Sequence, residues 1–522
     1  MKLNTLKKTP LASGLALLLA LMGLMGRIGL VGLVGLMGLV ACSQIPTLPK
    51  EDWQVPLRWK ETSQALSPES SSSSPSPISS SASTPSGTAQ WWRALNDETL
   101  NRLEDDLLAG NVNVLTLSAQ VRLAQATLRQ SQASLWPTVN VSASSSRAAN
   151  QLSVPKGTSY SLNASLSWEL DVWGRIDALT QVTTANAQAS DSDLAQAQRS
   201  ARATLVQTYL NFRLAQAQGA LLREAEAAYE KSLALTQAKY RSGVVSQSDV
   251  ALAQTQFKTT QAQRLDLDLQ SAQLEHALAA LMGRVPAELR LAPLPLQPLI
   301  RLESSAAPRT AVPMREDKAR VDSVLTWPPQ PPALPEVVAL TVLQKRPDIH
   351  AAQLRVQAAN AQVGVAKAAF FPPLTLSSSA GYRNTSLPSL IGAANQAWSL
   401  GPSLVLPLFD GGLRQANQEI AQAQLDAAVL NYRQVVLTAF QEVEDNLVAS
   451  LALLAEEDAY QAAAQSALQN LKITLSQYQN GTLAYLNVVS AQTAALNAQK
   501  AFLNARTQRW LAWNVLQKNF FM

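Results

Sequence analysis

One thiol stands in the chain: Cys42, which follows Leu39-Val40-Ala41 at the end of a long apolar run. A thiol can act as a nucleophile, bind a metal, pair in a disulfide or carry a thioether-linked lipid. With a single cysteine, no disulfide forms within the chain. A nucleophile needs a base. The two histidines, His276 and His350, lie far apart and within helical text, where a lone His is more often a packed or surface residue than a ligand. The sequence has no Gly-x-Ser-x-Gly elbow, no phosphate loop and no clustered metal spacing. Hydrolase and nucleotide-dependent chemistry are therefore not indicated, and no catalytic residue, metal or cofactor is expected.

The chemistry left for Cys42 is lipidation. Lys2, Lys7 and Lys8 form a basic start, and an apolar run follows from Leu11 to Ala41, broken by Arg27. Leu39-Val40-Ala41-Cys42 resembles a bacterial lipobox. The resemblance implies that residues 1–41 are a signal peptide, cut before Cys42, and that lipids join its sulfur and the new amino group. Two or more acyl chains anchor stably where one is marginal. The competing reading is an uncleaved transmembrane helix, since the run is long enough to span. Its Gly-Leu-Met and Gly-Leu-Val repeats weaken it as a helix. In such lipoproteins an Asp after the cysteine implies inner-membrane retention. Ser43 is compatible with delivery to the outer membrane.

Residues 67–88 are almost wholly Ser, Pro and small residues. Such a segment cannot bury a core, so 42–90 reads as a lipid-anchored tether. Of the 522 residues, only 15% are charged, and the net charge of +5 is spread along the chain. With no dense basic block, nucleic-acid binding is not indicated. Ala, Gln, Leu and Ser dominate instead, which favours long helices with small side chains at close contacts.

The elements repeat. Leu135-Trp136-Pro137 and Phe370-Phe371-Pro372 each precede an alternating stretch, at an offset of 235. Further on, Leu233, Thr236, Tyr240 and Gly243 meet Leu471, Thr474, Tyr478 and Gly481 at an offset of 238. A near-constant offset argues for internal duplication. Each copy reads helix, strand, strand, long helix, helix. In one strand Tyr160, Leu162, Ala164, Leu166, Trp168 and Leu170 alternate with polar residues, giving one apolar and one polar face. Val139, Val141 and Ala143 do so more briefly. Leu374 and Leu376 begin a third strand, and Trp398, Leu400, Leu404, Leu406 and Leu408 mark a fourth. Four amphipathic strands suit a membrane barrel with its polar face on water, but four cannot close one, so several chains must share it. A pair of hairpins in a soluble domain is the alternative. Against it, no proline occurs from Gly174 to Tyr240 or from Gly411 to Tyr478. A wholly helical segment of that length spans about 100 Å, several times a bilayer's hydrocarbon core of about 30 Å.

Taken together these residues resemble a known family. Trp91-Trp92 with Leu95 and Asp97, then Leu135-Trp136-Pro137 and Leu170-Asp171-Val172-Trp173-Gly174-Arg175, are similar to the first half of TolC-like outer-membrane efflux ducts, especially the OprM-like lipoproteins. Arg346-Pro347-Asp348-Ile349, Phe370-Phe371-Pro372, Phe409-Asp410-Gly411-Gly412 and Phe440-Gln441-Glu442-Val443-Glu444-Asp445 supply the second half. The motifs occur in family order over 91–520. The resemblance implies a mainly α fold with a β-barrel portion: a long α-helical barrel and four transmembrane β-strands per chain, making a twelve-stranded barrel in a homotrimer. It places a first repeat at 91–284, an equatorial proline-rich connection at 285–335, longer than usual, and a second repeat at 336–522. The partners it implies are a periplasmic adaptor, an inner-membrane pump and outer-membrane lipid, with drugs or toxic compounds as cargo and no bond chemistry.

The resemblance also assigns a site. Tyr240-Arg241-Ser242-Gly243 and Tyr478-Gln479-Asn480-Gly481 end the long helices at a glycine. In the family these bends form the periplasmic tip, where polar and charged contacts hold the pore shut. Asp249 and Tyr478 match gate residues. Leu483, Asn487 and Ser490 stand where TolC has a basic residue and two acids, so another polar set, including Asn487, is expected to close the pore. Tyr240, Arg241, Gly243, Gly481 and Thr482 are the expected bend and adaptor-contact residues. Asp249 and Asn487 are also placed to cap the returning helices. A duct for protein secretion and a structural envelope coiled coil remain as alternatives, although a coiled-coil spacer has no use for four amphipathic strands. The mature chain's methionines, Met282, Met314 and Met522, are unclustered, which argues against a dedicated copper duct.

Overall fold

The computed structural model describes residues 90–148, 157–293, 328–332 and 346–520. Cys42, the apolar leader and the serine-rich segment lie outside the described residues, as does most of the stretch 285–335. The same element order occurs twice. After a 3-10 turn at Trp91–Leu95 come α1 (Glu98–Gly110), α2 (Val112–Ala133), β1 (Thr138–Ala148), β2 (Gly157–Leu170), α3 (Arg175–Arg241) and α4 (Gln247–Leu281). The second pass is α5 (Pro347–Ala368), β3 (Leu374–Asn384), β4 (Gln396–Leu404), α6 (Leu413–Gln479) and α7 (Tyr485–Phe520). Helices α3 and α6 have 67 residues each, so each is about 100 Å long at 1.5 Å per residue. Among the described residues no helix is long and apolar enough to cross a membrane.

The chain divides into two compact units. The first comprises the sheet and the helix segments that join it, residues 127–184 and 357–426. Its four strands run in the order β1-β2-β3-β4, all antiparallel, so β2 and β3 join the two repeats and β1 and β4 are left as edges. Register keeps the alternation intact across the sheet. Val141 faces Ala164, which faces Ala380, which faces Trp398, while Asn140, Ser165, Ser379 and Ser399 form a polar row.

The strand expected through Leu408 stops at Leu404. Its partner β3 begins at Leu374, paired to Leu404, because Pro372-Pro373 cannot continue the ladder. Leu406 and Leu408 lie beyond it, exposed.

Local chemistry starts the long helices. The Asp171 carboxylate accepts from the Ile176 and Asp177 amides at 2.9 and 2.7 Å. Asp410 does the same for Gly412 and Arg414 at 3.1 and 3.4 Å. Such bonds satisfy first-turn donors that have no partner within the helix. Arg175 holds Glu169 through two bonds of 2.9 and 2.8 Å. Trp173 stacks on Phe371 at 4.9 Å and donates to the Pro372 carbonyl at 2.8 Å. The Asp-Val-Trp-Gly motif of one repeat thus grips the Phe-Phe-Pro motif of the other.

The second unit holds described residues of 90–126, 185–356 and 427–520. Its largest apolar cluster gathers Trp91, Trp92, Leu100, Leu107, Trp510 and Trp513. Trp91 donates to Asn514 at 2.9 Å, and Asn514 donates to the Ala203 carbonyl at 2.9 Å. Asp97 caps α1 through the Thr99 and Leu100 amides and also accepts from Tyr209. Buried Arg346 bonds Asp348 at 2.6 Å, Glu442 at 3.2 Å and Asn519 at 3.0 Å. The Arg-Pro-Asp and Phe-Gln-Glu-Val-Glu-Asp motifs therefore meet as one charge-assisted clamp.

Candidate functional site

Two bends join the helices of each repeat, and their backbones match. At the end of α3, Gly243 adopts φ +73°, its amide donates to the Tyr240 carbonyl at 2.9 Å, and the Val244 amide donates to Lys239 at 2.9 Å. At the end of α6, Gly481 adopts φ +77°, donates to Tyr478 at 3.1 Å, and Thr482 donates to Gln477 at 3.0 Å. This pair of bonds closes a helix on a left-handed residue, a conformation that costs glycine least. The Thr482 hydroxyl adds a bond of 2.9 Å to the Gln477 carbonyl.

The side chains at the two bends differ. Tyr240 is 44% exposed and Tyr478 only 4%. Tyr478 sits in an apolar cluster with Ala253, Tyr485, Val488 and Val489. Its ring lies 5.4 Å from that of Tyr485. Lys239 Nζ stands 4.0 Å from its centroid and donates to its carbonyl at 3.4 Å. The Tyr478 hydroxyl is 3.4 Å from Thr236 Oγ1, and Ser232 donates to the Tyr485 hydroxyl at 3.1 Å. Burial pushes the Tyr485 phenol pKa up from its usual value. The ends of α3 and α6 and the starts of α4 and α7 are thus fastened through one aromatic pair.

At the first bend the fastening is polar. Ser246 accepts from the Asp249 amide at 3.2 Å, while Asp249 Oδ2 accepts from the Ser246 amide and hydroxyl at 3.0 and 2.8 Å. This is a reciprocal capping box. The expectation that Asp249 is itself the cap is corrected to this extent: Ser246 is the N-cap, and Asp249 answers from the third helical position. The equivalent place before α7 is Ala484, and an Ala side chain offers no acceptor. Asn487 lies on the first turn of α7, exposed, with its amide bonded to the Ala484 carbonyl at 3.1 Å. Arg241 is exposed at the last position of α3. The bonds of Asp249 run within its own box and those of Tyr478 run to α3, so the chain fastens them separately.

Lys239, Thr236, Ser232 and Tyr485 were not legible as site residues. Thr236 and Thr474 keep the repeat, whereas Tyr485 and Lys239 break it, standing opposite Gln247 and Gln477. Departure from the repeat was the available signal.

The sequence profile of outer membrane efflux proteins matches residues 103–284 and 339–519. The chain belongs to the outer membrane efflux protein family. It is 30% identical over 436 residues to the outer membrane protein OprJ of Pseudomonas aeruginosa, covering 81% of this chain and 84% of that protein. It is likewise 30% identical to the toluene efflux pump outer membrane protein TtgI of Pseudomonas putida, covering 78% and 82%. Among solved structures, the OprN outer-membrane channel superposes with TM-score 0.71 at 27% identity, covering 92% of this chain and 98% of that one. The CmeC outer membrane channel of Campylobacter jejuni gives TM-score 0.76 at 24% identity, covering 92% and 94%, which shows the shared fold. As an outer membrane efflux protein, the chain is the outer-membrane channel of a tripartite efflux system, with two structural repeats, a helical duct and a β portion.

Proposed function

We propose that three copies of this chain close a twelve-stranded barrel, with apolar faces on lipid and polar faces on a water-filled exit. The observation that carries this reading is the sheet. It has four strands, two unpaired edges and one apolar face. In lipid an open edge leaves backbone donors and acceptors unsatisfied at several kcal/mol each, and joining β4 of one copy to β1 of the next removes both edges. Residues 91–284 and 336–522 are the two repeats of each chain, with 285–335 as the equatorial connection.

In this reading a periplasmic adaptor couples the duct to an inner-membrane pump. Small organic molecules cross without bond chemistry, and the relation to a toluene pump component favours apolar cargo. Cys42 carries the lipid anchor. Asp249, Tyr478 and Asn487 belong to the periplasmic gate, while Tyr240, Arg241, Gly243, Gly481 and Thr482 present the bends to the adaptor. Light scattering on the detergent-solubilised protein tests the assembly. Three chains per particle is the expected result. A monodisperse monomer with its strand signature intact by circular dichroism overturns it.

A further inference from the structure

The polar face of the sheet is nearly free of charge. Its rows are hydroxyls and amides that bond one another: Ser144 and Ser161 oxygens lie 2.7 Å apart, and Ser379 and Ser399 oxygens 2.8 Å apart. Strand alternation puts two ionisable side chains on this face among the described residues, Glu169 and Arg383. Glu169 lies at the helix-side end of β2, neutralised by the two-bond pair with Arg175. Arg383 lies at the other end of the sheet, one residue from the end of β3, and its Nε donates to the neutral Ser159 hydroxyl at 3.3 Å. No Asp or Glu occurs anywhere from 138 to 168 or from 370 to 409, loops included. Arg147, the other cation of the strands, falls on the apolar face by the same alternation.

We propose that Arg383 makes the outer mouth of the duct an anion-preferring collar. This rests on the barrel reading above: one guanidinium per chain becomes three around a lumen whose other lining is neutral. Charges of one sign in a narrow passage with low-dielectric walls focus the field and enrich counter-ions. The ligand class is small anions and the anionic ends of exported organic molecules, while cations are held back from entering. Screening sets a signature, because the Debye length is about 30 Å at 0.01 M salt and about 3 Å at 1 M. The preference is strongest in dilute salt and fades in concentrated salt. A purely structural role for Arg383 would depend on its single bond to Ser159 and not on its charge.

Reversal potentials of the full chain in planar bilayers under a potassium chloride gradient test this. Wild type and Arg383→Lys, which keeps the charge, are expected to favour chloride, most strongly in dilute salt. Arg383→Gln loses at least half of that preference, and Arg383→Glu reverses it. Circular dichroism of each variant checks that the strands are retained. Reversal potentials that coincide for wild type, Arg383→Gln and Arg383→Glu in dilute salt overturn the collar while leaving the duct in place. Absence of unit conductance from the wild type removes the duct itself, and the collar with it.

Discussion

The two bends share a backbone and differ in how they are held. Both close on a left-handed glycine with the same pair of amide bonds. The first is fastened by the Ser246–Asp249 box and leaves Tyr240 in solvent. The second has Ala484 where a cap would stand and relies on Tyr478, buried against Tyr485 under Lys239. Duplication supplied one frame, and side-chain divergence made one bend self-contained and the other a clasp between helices. A clasp of this kind responds to movement of the neighbouring helix, whereas a capping box does not. That difference places the more easily switched contacts at the second bend.

The comparison is broken most severely by removing the clasp. Truncating a buried aromatic to Ala typically costs about 3–5 kcal/mol. Tyr478→Ala or Tyr485→Ala is therefore expected to raise amide hydrogen exchange around 478–489 strongly. Tyr240→Ala, at an exposed site, is expected to stay within about 0.5 kcal/mol of wild type. Equal exchange in the Tyr478 and Tyr240 variants would erase the asymmetry.

Swapping the caps sharpens it. Ser246→Ala removes a cap worth about 1 kcal/mol, and exchange is expected to rise around 246–252 without spreading to the second bend. Ala484→Ser supplies the missing cap and is expected to slow exchange at the start of α7. Lys239→Met has a smaller effect, about 0.5–1 kcal/mol for a partly exposed cation over a ring, and it loosens only the second bend.

The smallest effect is pH-dependent. Burial raises the Tyr485 phenol above the model value of 10.0. The folded form then holds its proton more tightly than the unfolded form. The stability this contributes is fully present below pH 10 and is lost as pH rises through the raised value. Proteolysis at the second bend should therefore increase above pH 10. Tyr485→Phe should abolish the increase, and the first bend, with Gln247 in the equivalent place, should not show it.

Much of the fold was legible because it repeats and alternates. The proline-free runs foretold α3 and α6 nearly to the residue, and the period of two foretold β2. What was not legible lies in contacts between distant residues. The Lys239–Tyr478 contact joins residues 239 positions apart in sequence, and no local propensity encodes it. Pairing of β2 with β3 is equally nonlocal, since it depends on Trp173 meeting Phe371 and Pro372. The cap at the first bend was misplaced by three residues. Asp249 has the acidic character of a cap, but Ser246 is the residue with the extended backbone that capping requires.

The central claim is that the bends close the duct, and unit conductance tests it most directly. The double variant Asp249→Ala with Tyr478→Phe loosens one polar and one aromatic fastening while leaving the helices and the sheet edges untouched. Exposed polar contacts are worth about 0–1 kcal/mol each, so their loss across the assembled chains shifts a two-state balance towards the open form. The account predicts higher conductance in planar bilayers and increased antibiotic entry into cells, with trimer yield unchanged. Conductance and entry both at wild-type levels would contradict it, leaving these residues as turn anchors and closure elsewhere in the helices.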